Sequence, residues 1–411
     1  MAETAPSSNV VVFGEHEPNT LAQLNDVASR AERAALMADG HQGYVMPIGG
    51  VAAYTDKVSV VGVGFDIACG NAAIRTNLTL HGTPGLVDRL PALADEIQDV
   101  VSFGVGRKNR ADDAPVDHDL FRSDAWTAVP GHAREALRSK ARAQLGTVGS
   151  GNHYVDVFVD ETDTIWVGVH FGSRGFGHTV ASGFLALSQN AKWGQRVPER
   201  EALLGLDTPI GQDYWALMSL AGDYAYAGRE WEARKVVSLL DVAEEELVHN
   251  HHNFAWREEH DGRDVVVVRK GATPAFPGQK GFIGGSMGDD AVIVQGAFAA
   301  GGPLETLQRK ALFSTVHGAG RVMSRTQAAG KRNRRTGKIL SPGLVSPEMM
   351  HGWVREKGVI LRGGGLDESP HAYRRLPSVL EAQRGTIERL HTLRPLIVVM
   401  AGADLFDPYK D

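Results

Sequence analysis

An irregular α/β fold is what this sequence predicts: α+β in arrangement, with mixed sheets flanked by helices in a single domain over residues 1–411. Three observations lead there. Strand-like and helix-like segments interleave along the chain without the regular spacing of repeated βαβ units. No internal repeat and no long Pro/Ser linker divides it. The 48 glycines in 411 residues exceed a usual share of about 7 %, and with no low-complexity tract to absorb them many must shape tight loops.

The elements follow in chain order. Asn19–Leu36 carries apolar residues at Leu21, Leu24, Val27, Ala28, Ala31 and Ala34–Leu36 behind a cap at Asn19 or Thr20, and predicts an amphipathic helix. Val58–Val63 is short, β-branched and followed by glycine, the pattern of a buried strand. His132–Leu145 reads as a helix that runs into the glycine-rich turn Gly146–Gly151. Tyr154–Val159 and Thr164–His170 read as strands around the acidic turn Asp160–Asp163. Asp213–Leu247 lacks proline and predicts two consecutive helices. Val265–Val268 and Ala291–Gln295 read as strands, and Pro303–Phe313 as a helix with proline in its first turn. Ser378–Leu390 predicts a last helix and Leu396–Met400 a last strand.

Composition narrows the function classes. Hydrophobic residues are 43 % and charged residues 22 % of the chain, an ordinary globular balance that rules out a disordered or fibrous protein. The longest apolar stretches, such as Pro395–Ala403, are half the roughly 18 residues of a membrane span. Met1–Asn9 shows no basic and apolar leader pattern, so the expectation is a cytoplasmic protein with no membrane partner. The formal charge of −6 argues against a general nucleic-acid coating protein. It leaves room for a local basic surface, and Arg325–Lys338, with six Lys or Arg and no acid, is the one strong charge run. No heptad pattern marks a coiled coil, so a monomer is expected.

Cys69 is the single cysteine, which excludes an internal disulfide and any multi-cysteine zinc site. It stands in Gly64-Phe65-Asp66-Ile67-Ala68-Cys69-Gly70-Asn71, where a carboxylate and a thiolate three residues apart can reach one cation, and a thiolate can bridge two. Three more clusters sit near predicted strand or helix ends: Gly149-Ser150-Gly151-Asn152-His153, His170-Phe171-Gly172-Ser173-Arg174-Gly175 and His249-Asn250-His251-His252-Asn253. One Asp, one Cys and three His suffice for one or two first-row metals, and the mixture suits Mn, Fe, Co or Zn alike. Arg174, Arg269, Lys270, Ser286 and Arg321 stand among glycines in phosphate-competent settings. No P-loop or Rossmann turn accompanies them. His317 in His317-Gly-Ala-Gly-Arg321 offers a nitrogen able to attack phosphorus.

These residues together resemble the RtcB-type RNA ligases, the tRNA-splicing and RNA-repair enzymes that join a 3′-phosphate or 2′,3′-cyclic phosphate end to a 5′-hydroxyl end. The resemblance runs from about Met37 to Gly402 through Asp39-Gly40-His41, Pro47-Ile48-Gly49-Gly50, Asp66-Ile67-Ala68-Cys69-Gly70, Gly151-Asn152-His153, Gly172-Ser173-Arg174-Gly175, His252-Asn253, Arg269-Lys270-Gly271-Ala272-Thr273, Gly285-Ser286-Met287-Gly288, His317-Gly318-Ala319-Gly320-Arg321, Met323-Ser324-Arg325 and Asp367-Glu368-Ser369-Pro370 with Ala372-Tyr373. It implies two manganese ions (Mn2+) bridged by Cys69, one held with Asp66 and His153 and the other with His170 and His252. It implies GTP as co-substrate and His317 as the guanylylated residue. Asn152, Asp156, Asn253, Ser286, Arg321 and Tyr373 would line the guanylate pocket, and Arg174 would meet the RNA phosphate. The Arg325–Lys338 run would steer RNA ends inward, and an archease-type activator is a partner the resemblance leaves open.

The sequence also departs from that pattern. Ala401 stands where the family ends on a lysine that touches guanine, and a tail Ala403–Asp411 follows in which Lys410 is a candidate replacement. Asp156 replaces a glutamate, Val268 a histidine, Gly284 a proline and Ala68 a glycine. None of these is a proposed metal ligand, and several touch the proposed nucleotide pocket. Two other readings therefore stay open: a paralogue that binds metal and RNA ends without sealing them, and a metal-dependent phosphohydrolase that only opens cyclic phosphates. Retention of His317 and Arg321 weighs against both.

Overall fold

The computed structural model describes residues 9–332 and 339–403. Two sheets organise them. Five strands run in the order Val10–Val12, Arg33–His41, Ile48–Tyr54, Arg263–Lys270 and Asn253–His260. The larger sheet runs Lys280–Ile283, Ala291–Gly296, Ile387–Gly402, Tyr154–Val159, Thr164–Phe171, Gly70–Thr79 and Glu244–His251, with Ile360–Gly364 added parallel to Ile387–Gly402. Its strands alternate between two packed faces. Val155, Val157 and Val159 enter one apolar cluster with Ile165, Val167 and Val169, while Phe158 enters another with Trp166 and Phe282. Each such buried side chain contributes roughly 1.5–3 kcal/mol. The mixed α/β class read from the sequence is the one observed, and no helix among the described residues is long and apolar enough to cross a membrane.

Four sequence-predicted elements differ, each for an identifiable reason. The first helix is Pro18–Ala28 only, and Ala34–Leu36 belong to the strand Arg33–His41. That strand is buried on both faces: Ala34 and Leu36 pack toward the helix, Ala35 and Met37 toward the opposite cluster. Apolar residues on every position carry no period of two, so they pass for a helix. Val58–Val63 is a strand only through Ser59. The Ser59 side chain then caps the single helical turn Val60–Val63 by accepting from the Gly62 amide.

Asp213–Leu247 is one helix, Pro209–Leu240, capped by Thr208 accepting from Gly211 and stopped by Asp241 at φ +56°. Residues 244–247 open the strand Glu244–His251 instead. The last helix is Leu376–Ala382; Arg384 and Gly385 turn left-handed after it, and Ile387 already begins the final strand. Of the basic run, Arg334, Arg335 and Lys338 lie outside the described residues, as does Lys410.

The topology that matters for the site is the middle of the large sheet. Thr164–Phe171 pairs antiparallel with Tyr154–Val159 on one side and Gly70–Thr79 on the other, and Gly70–Thr79 pairs with Glu244–His251. In register, His170 lies opposite Tyr154 and Asn71, and Gly70 lies opposite Phe171 and His251. All four strands therefore present one end together.

Candidate functional site

At that shared end stand four of the predicted ligands. Cys69 immediately precedes its strand, His153 precedes Tyr154, His170 is the penultimate residue of its strand, and His252 follows His251. Across the sheet the order is His153, His170, Cys69, His252, which is not their order in the chain. Asp66 joins them from the turn before Cys69, where the Cys69 amide donates to the Asp66 carbonyl. Ala68, between them, sits at φ +59°, in the left-handed region that favours glycine.

The donor atoms form two groups that share the thiol. Cys69, His170 and His252 are all buried, and their donor atoms lie within 4.8 Å of one another; so do those of Asp66, Cys69 and His153. Cys69 Sγ is 3.6 Å from His153 Nε2 and 3.8 Å from His170 Nε2, and Asp66 Oδ2 is 3.2 Å from His153 Nε2. The far nitrogens of His153 and His170 are occupied, whereas His252 Nδ1 is buried without a hydrogen-bond partner among the described residues. His153 Nδ1 faces the Val148 carbonyl at 2.9 Å, and His170 Nδ1 faces Asn71 Oδ1 at 2.7 Å. Partners of this kind orient a ligating imidazole and leave Nε2 for a cation.

The electrostatics suit the same chemistry. Burial works against ionising Asp66, yet His153 and Arg174 beside it bring its carboxyl down to about 2. Burial pushes His170 and His252 well below the usual imidazole range, so both are neutral donors. Burial and Asp66 push the Cys69 thiol up, and a coordinated cation reverses that by taking the thiolate. Carboxylate, thiolate and neutral imidazoles in a dry recess fit first-row divalent metals.

His317 borders the second group. It follows the strand Ser314–Val316, which pairs with Ala272–Pro274, while the Ala272 amide donates to the His252 carbonyl. The His252 and His317 rings are 4.8 Å apart between centroids. The fully buried Asp39 carboxylate lies 2.6 Å from His317 Nδ1 and accepts from the backbone amides of His317 and Gly318. Gly320, at φ +73°, makes this possible: a Cβ there would stand 2.3 Å from the Asp39 carbonyl oxygen. The contact is one of distance and charge, since His317 Nδ1 makes no well-aligned hydrogen bond among the described residues; a carboxylate against Nδ1 favours the tautomer that leaves the Nε2 lone pair free.

The other predicted residues distribute around this centre. Arg174 NH1 lies 3.2 Å from His153 Nδ1, its guanidinium laid over Gly149, and its buried Nε has no hydrogen-bond partner among the described residues. Asn152 is exposed, with its amide 3.4 Å from His170 Nε2. Asn253 accepts from the Gly271 amide at 2.8 Å. Arg321 donates to the Tyr373 hydroxyl at 2.8 Å, to Glu368 at 3.2 Å and to the Asp367 carbonyl at 2.7 Å. Ser286 donates to Asp289, which also accepts from Arg375. Asp156 is buried on the face of its strand shared with Tyr154, and among the described residues neither Asp156 Oδ1 nor the Tyr154 hydroxyl has a hydrogen-bond partner. Burial pushes the Asp156 carboxyl well above the usual carboxylate range.

Two sequence expectations change. Arg269 is completely buried and spent on Glu258, Leu312 and Ser314, which makes it a structural residue rather than an anion site. Arg325, the start of the basic run, is ion-paired with Asp367 and Glu368 instead of projecting toward RNA. Asp39, Asn71 and Arg229 were given no role from the sequence, although Asp39 and Asn71 stand in the motifs quoted above. Asn71 had a signal, lying two residues past the cysteine on the same strand face. Arg229 and Glu232 also had one, being charges on the apolar stripe that includes Ala225, Ala233 and Val236.

Comparison with known proteins identifies the family. The family model described as tRNA-splicing ligase RtcB matches residues 20–401, beginning earlier than Met37 and ending one residue before Gly402. The tRNA-splicing ligase RtcB of Archaeoglobus fulgidus is 32 % identical over 437 residues, covering 88 % of this chain and 86 % of that protein. The tRNA-splicing ligase RtcB of Thermococcus kodakarensis is 32 % identical, covering 92 % and 90 %. The RNA-splicing ligase RtcB of Escherichia coli is 30 % identical, covering 89 % of each. The chain belongs to the RtcB family.

Proposed function

We propose that this protein is a GTP-dependent RNA ligase of tRNA splicing or RNA repair. It joins 3′-phosphate or 2′,3′-cyclic phosphate ends to 5′-hydroxyl ends through a guanylylated His317. The observation that carries the reading is the imidazole of His317 set between the Asp39 carboxylate and the Cys69/His170/His252 group. Asp66, Cys69, His153, His170 and His252 would hold two manganese ions, with Cys69 common to both. Bound manganese would supply Lewis acidity at the phosphoryl oxygens and at the water that opens a cyclic phosphate.

The chain's own residues do the rest. Asp39 keeps the proton on His317 Nδ1, so the Nε2 lone pair attacks the α-phosphorus of GTP; a P–N bond forms and pyrophosphate leaves with the electrons of the broken P–O bond. The RNA 3′-phosphate oxygen then displaces His317 from the GMP phosphorus and gives an anhydride. The 5′-hydroxyl attacks the RNA phosphorus, GMP leaves, and the phosphodiester is made. Arg174, with Nε unpartnered beside His153, is placed to neutralise the RNA phosphate. Asn152, Asp156, Asn253, Ser286, Arg321 and Tyr373 would surround the nucleotide.

The test is incubation with Mn2+ and α-labelled GTP, with ATP in parallel, followed by detection of acid-labile label on the denatured chain. Label from GTP that is absent in His317→Ala is the expected result. Label from ATP alone would mean a changed base preference. A metal-loaded protein that takes no label from either, also with an archease-type activator present, would overturn ligation in favour of a non-sealing member.

A further inference from the structure

We infer that Arg229 is the positioning residue of the Cys69/His170/His252 group: one buried guanidinium ties together the chain neighbours of all three ligands. The inference rests on the metal-centre reading above. Arg229 lies in the Pro209–Leu240 helix behind the sheet end and is 0 % exposed. Its NH1 donates to the carbonyl of Ala68, the residue before Cys69, at 2.9 Å and to the carbonyl of Phe171, the residue after His170, at 2.6 Å. Its NH2 donates to Nδ1 of His251, the residue before His252, at 2.8 Å, and its Nε to His249 at 3.0 Å. Gly70 leaves room for this fork. A Cβ there would lie 3.1 Å from Arg229 NH2 and 2.2 Å from the Asn250 carbonyl oxygen.

The physical argument is one of geometry and satisfaction. The three ligands come from three strands, and strand pairing alone sets their separation only to the tolerance of a twisted ladder. A planar guanidinium with donors in fixed directions narrows that tolerance, because two carbonyls and two imidazoles must meet it at once. Removing it takes a charge-assisted donor away from the buried Ala68 and Phe171 carbonyls. Relief comes by rotating those peptide planes: the Ala68 plane ends on the Cα of Cys69, and movement of the Phe171 plane disturbs the strand end that holds His170. Lysine has one nitrogen and cannot span the set. Tyr226 steadies the arrangement, its ring stacked on His251 with centroids 3.7 Å apart while Arg229 sits over it at 5.4 Å.

The test uses Co2+ as the probe on the full-length, metal-stripped chain. The thiolate-to-cobalt absorption band reports coordination by Cys69, and a thermal midpoint of the metal-free chain reports folding. Arg229→Lys is expected to fold yet bind Co2+ about 10- to 100-fold more weakly with a diminished band. His251→Phe keeps the ring on Tyr226, removes the acceptor, and is expected to weaken binding several-fold, on the order of one lost charge-assisted hydrogen bond; it decides the matter if Arg229→Lys does not fold. Wild-type affinity and band in both folded variants would overturn the positioning role alone. No band in the wild-type chain would overturn the metal-centre reading, and this role with it.

Discussion

Two regions built on the same strand differ in how their polar atoms are met, although Arg174 Nε and His252 Nδ1 at the first also lack a hydrogen-bond partner among the described residues. Around Cys69 the buried nitrogens of His153 and His170 find fixed oxygens, Asp39 backs His317, and Arg229 ties the strand ends together. One residue past His153 begins the wall where the resemblance leads one to expect altered residues. There Tyr154 and Asp156 bury a hydroxyl and a carboxyl oxygen that have no hydrogen-bond partner among the described residues. Gly284 lies close enough that a Cβ would stand 2.6 Å from the Tyr154 hydroxyl, and the small Ala401 ends the neighbouring strand. Unpaired buried polar atoms cost about 1–3 kcal/mol each. The difference teaches that the same strand serves a centre whose imidazoles are oriented by neighbouring oxygens and a wall whose buried polar atoms are met less completely.

The sharpest way to break this comparison is at the shared thiol. Cys69→Ala removes a donor from both groups, so metal content measured by atomic emission and His317 labelling should both fall to background with the far-ultraviolet spectrum retained. Asp39→Asn comes next. Loss of the carboxylate at Nδ1 should slow labelling by about 10²- to 10⁴-fold while leaving bound metal unchanged; a loss of metal instead would move Asp39 into the ligand set.

The wall should respond more gently. Asp156→Glu combined with Ala401→Lys puts back the two side chains that the resemblance leads one to expect and should raise the preference for GTP over ATP in the labelling assay by about tenfold or more. No change in preference would mean the wall does not read the base. Asp156 also predicts a pH signature. Its raised native value means that the folded chain keeps a proton the unfolded chain sheds above about pH 4. Stability therefore falls as pH climbs from there toward the native value. Asp156→Asn should flatten that fall and raise stability at neutral pH by about 1–3 kcal/mol, read from thermal midpoints at pH 5 and 7.5. The smallest effect is at Ala68: relief of its left-handed backbone in Ala68→Gly should add about 1 kcal/mol, less the extra freedom glycine gains when unfolded.

By itself the sequence determined the mixed α/β class, the family and the residues whose chemistry is particular: Asp66, Cys69, His153, His170, His252 and His317. Such side chains are legible because few residue types offer a thiolate, an imidazole or a carboxylate, and they stand among glycines. Tertiary structure decided what those residues share. It set the spatial order His153, His170, Cys69, His252, because strand pairing joins segments far apart in the chain through backbone register that no local pattern encodes. It turned Arg33–His41 into a strand, since burial on both faces erases the period that would announce one. It also recruited Asp39 to His317 and Arg229 to the peptide carbonyls beside the ligands. A carbonyl has no residue identity, so a side chain that recognises carbonyls leaves little trace in the sequence until the fold brings them together.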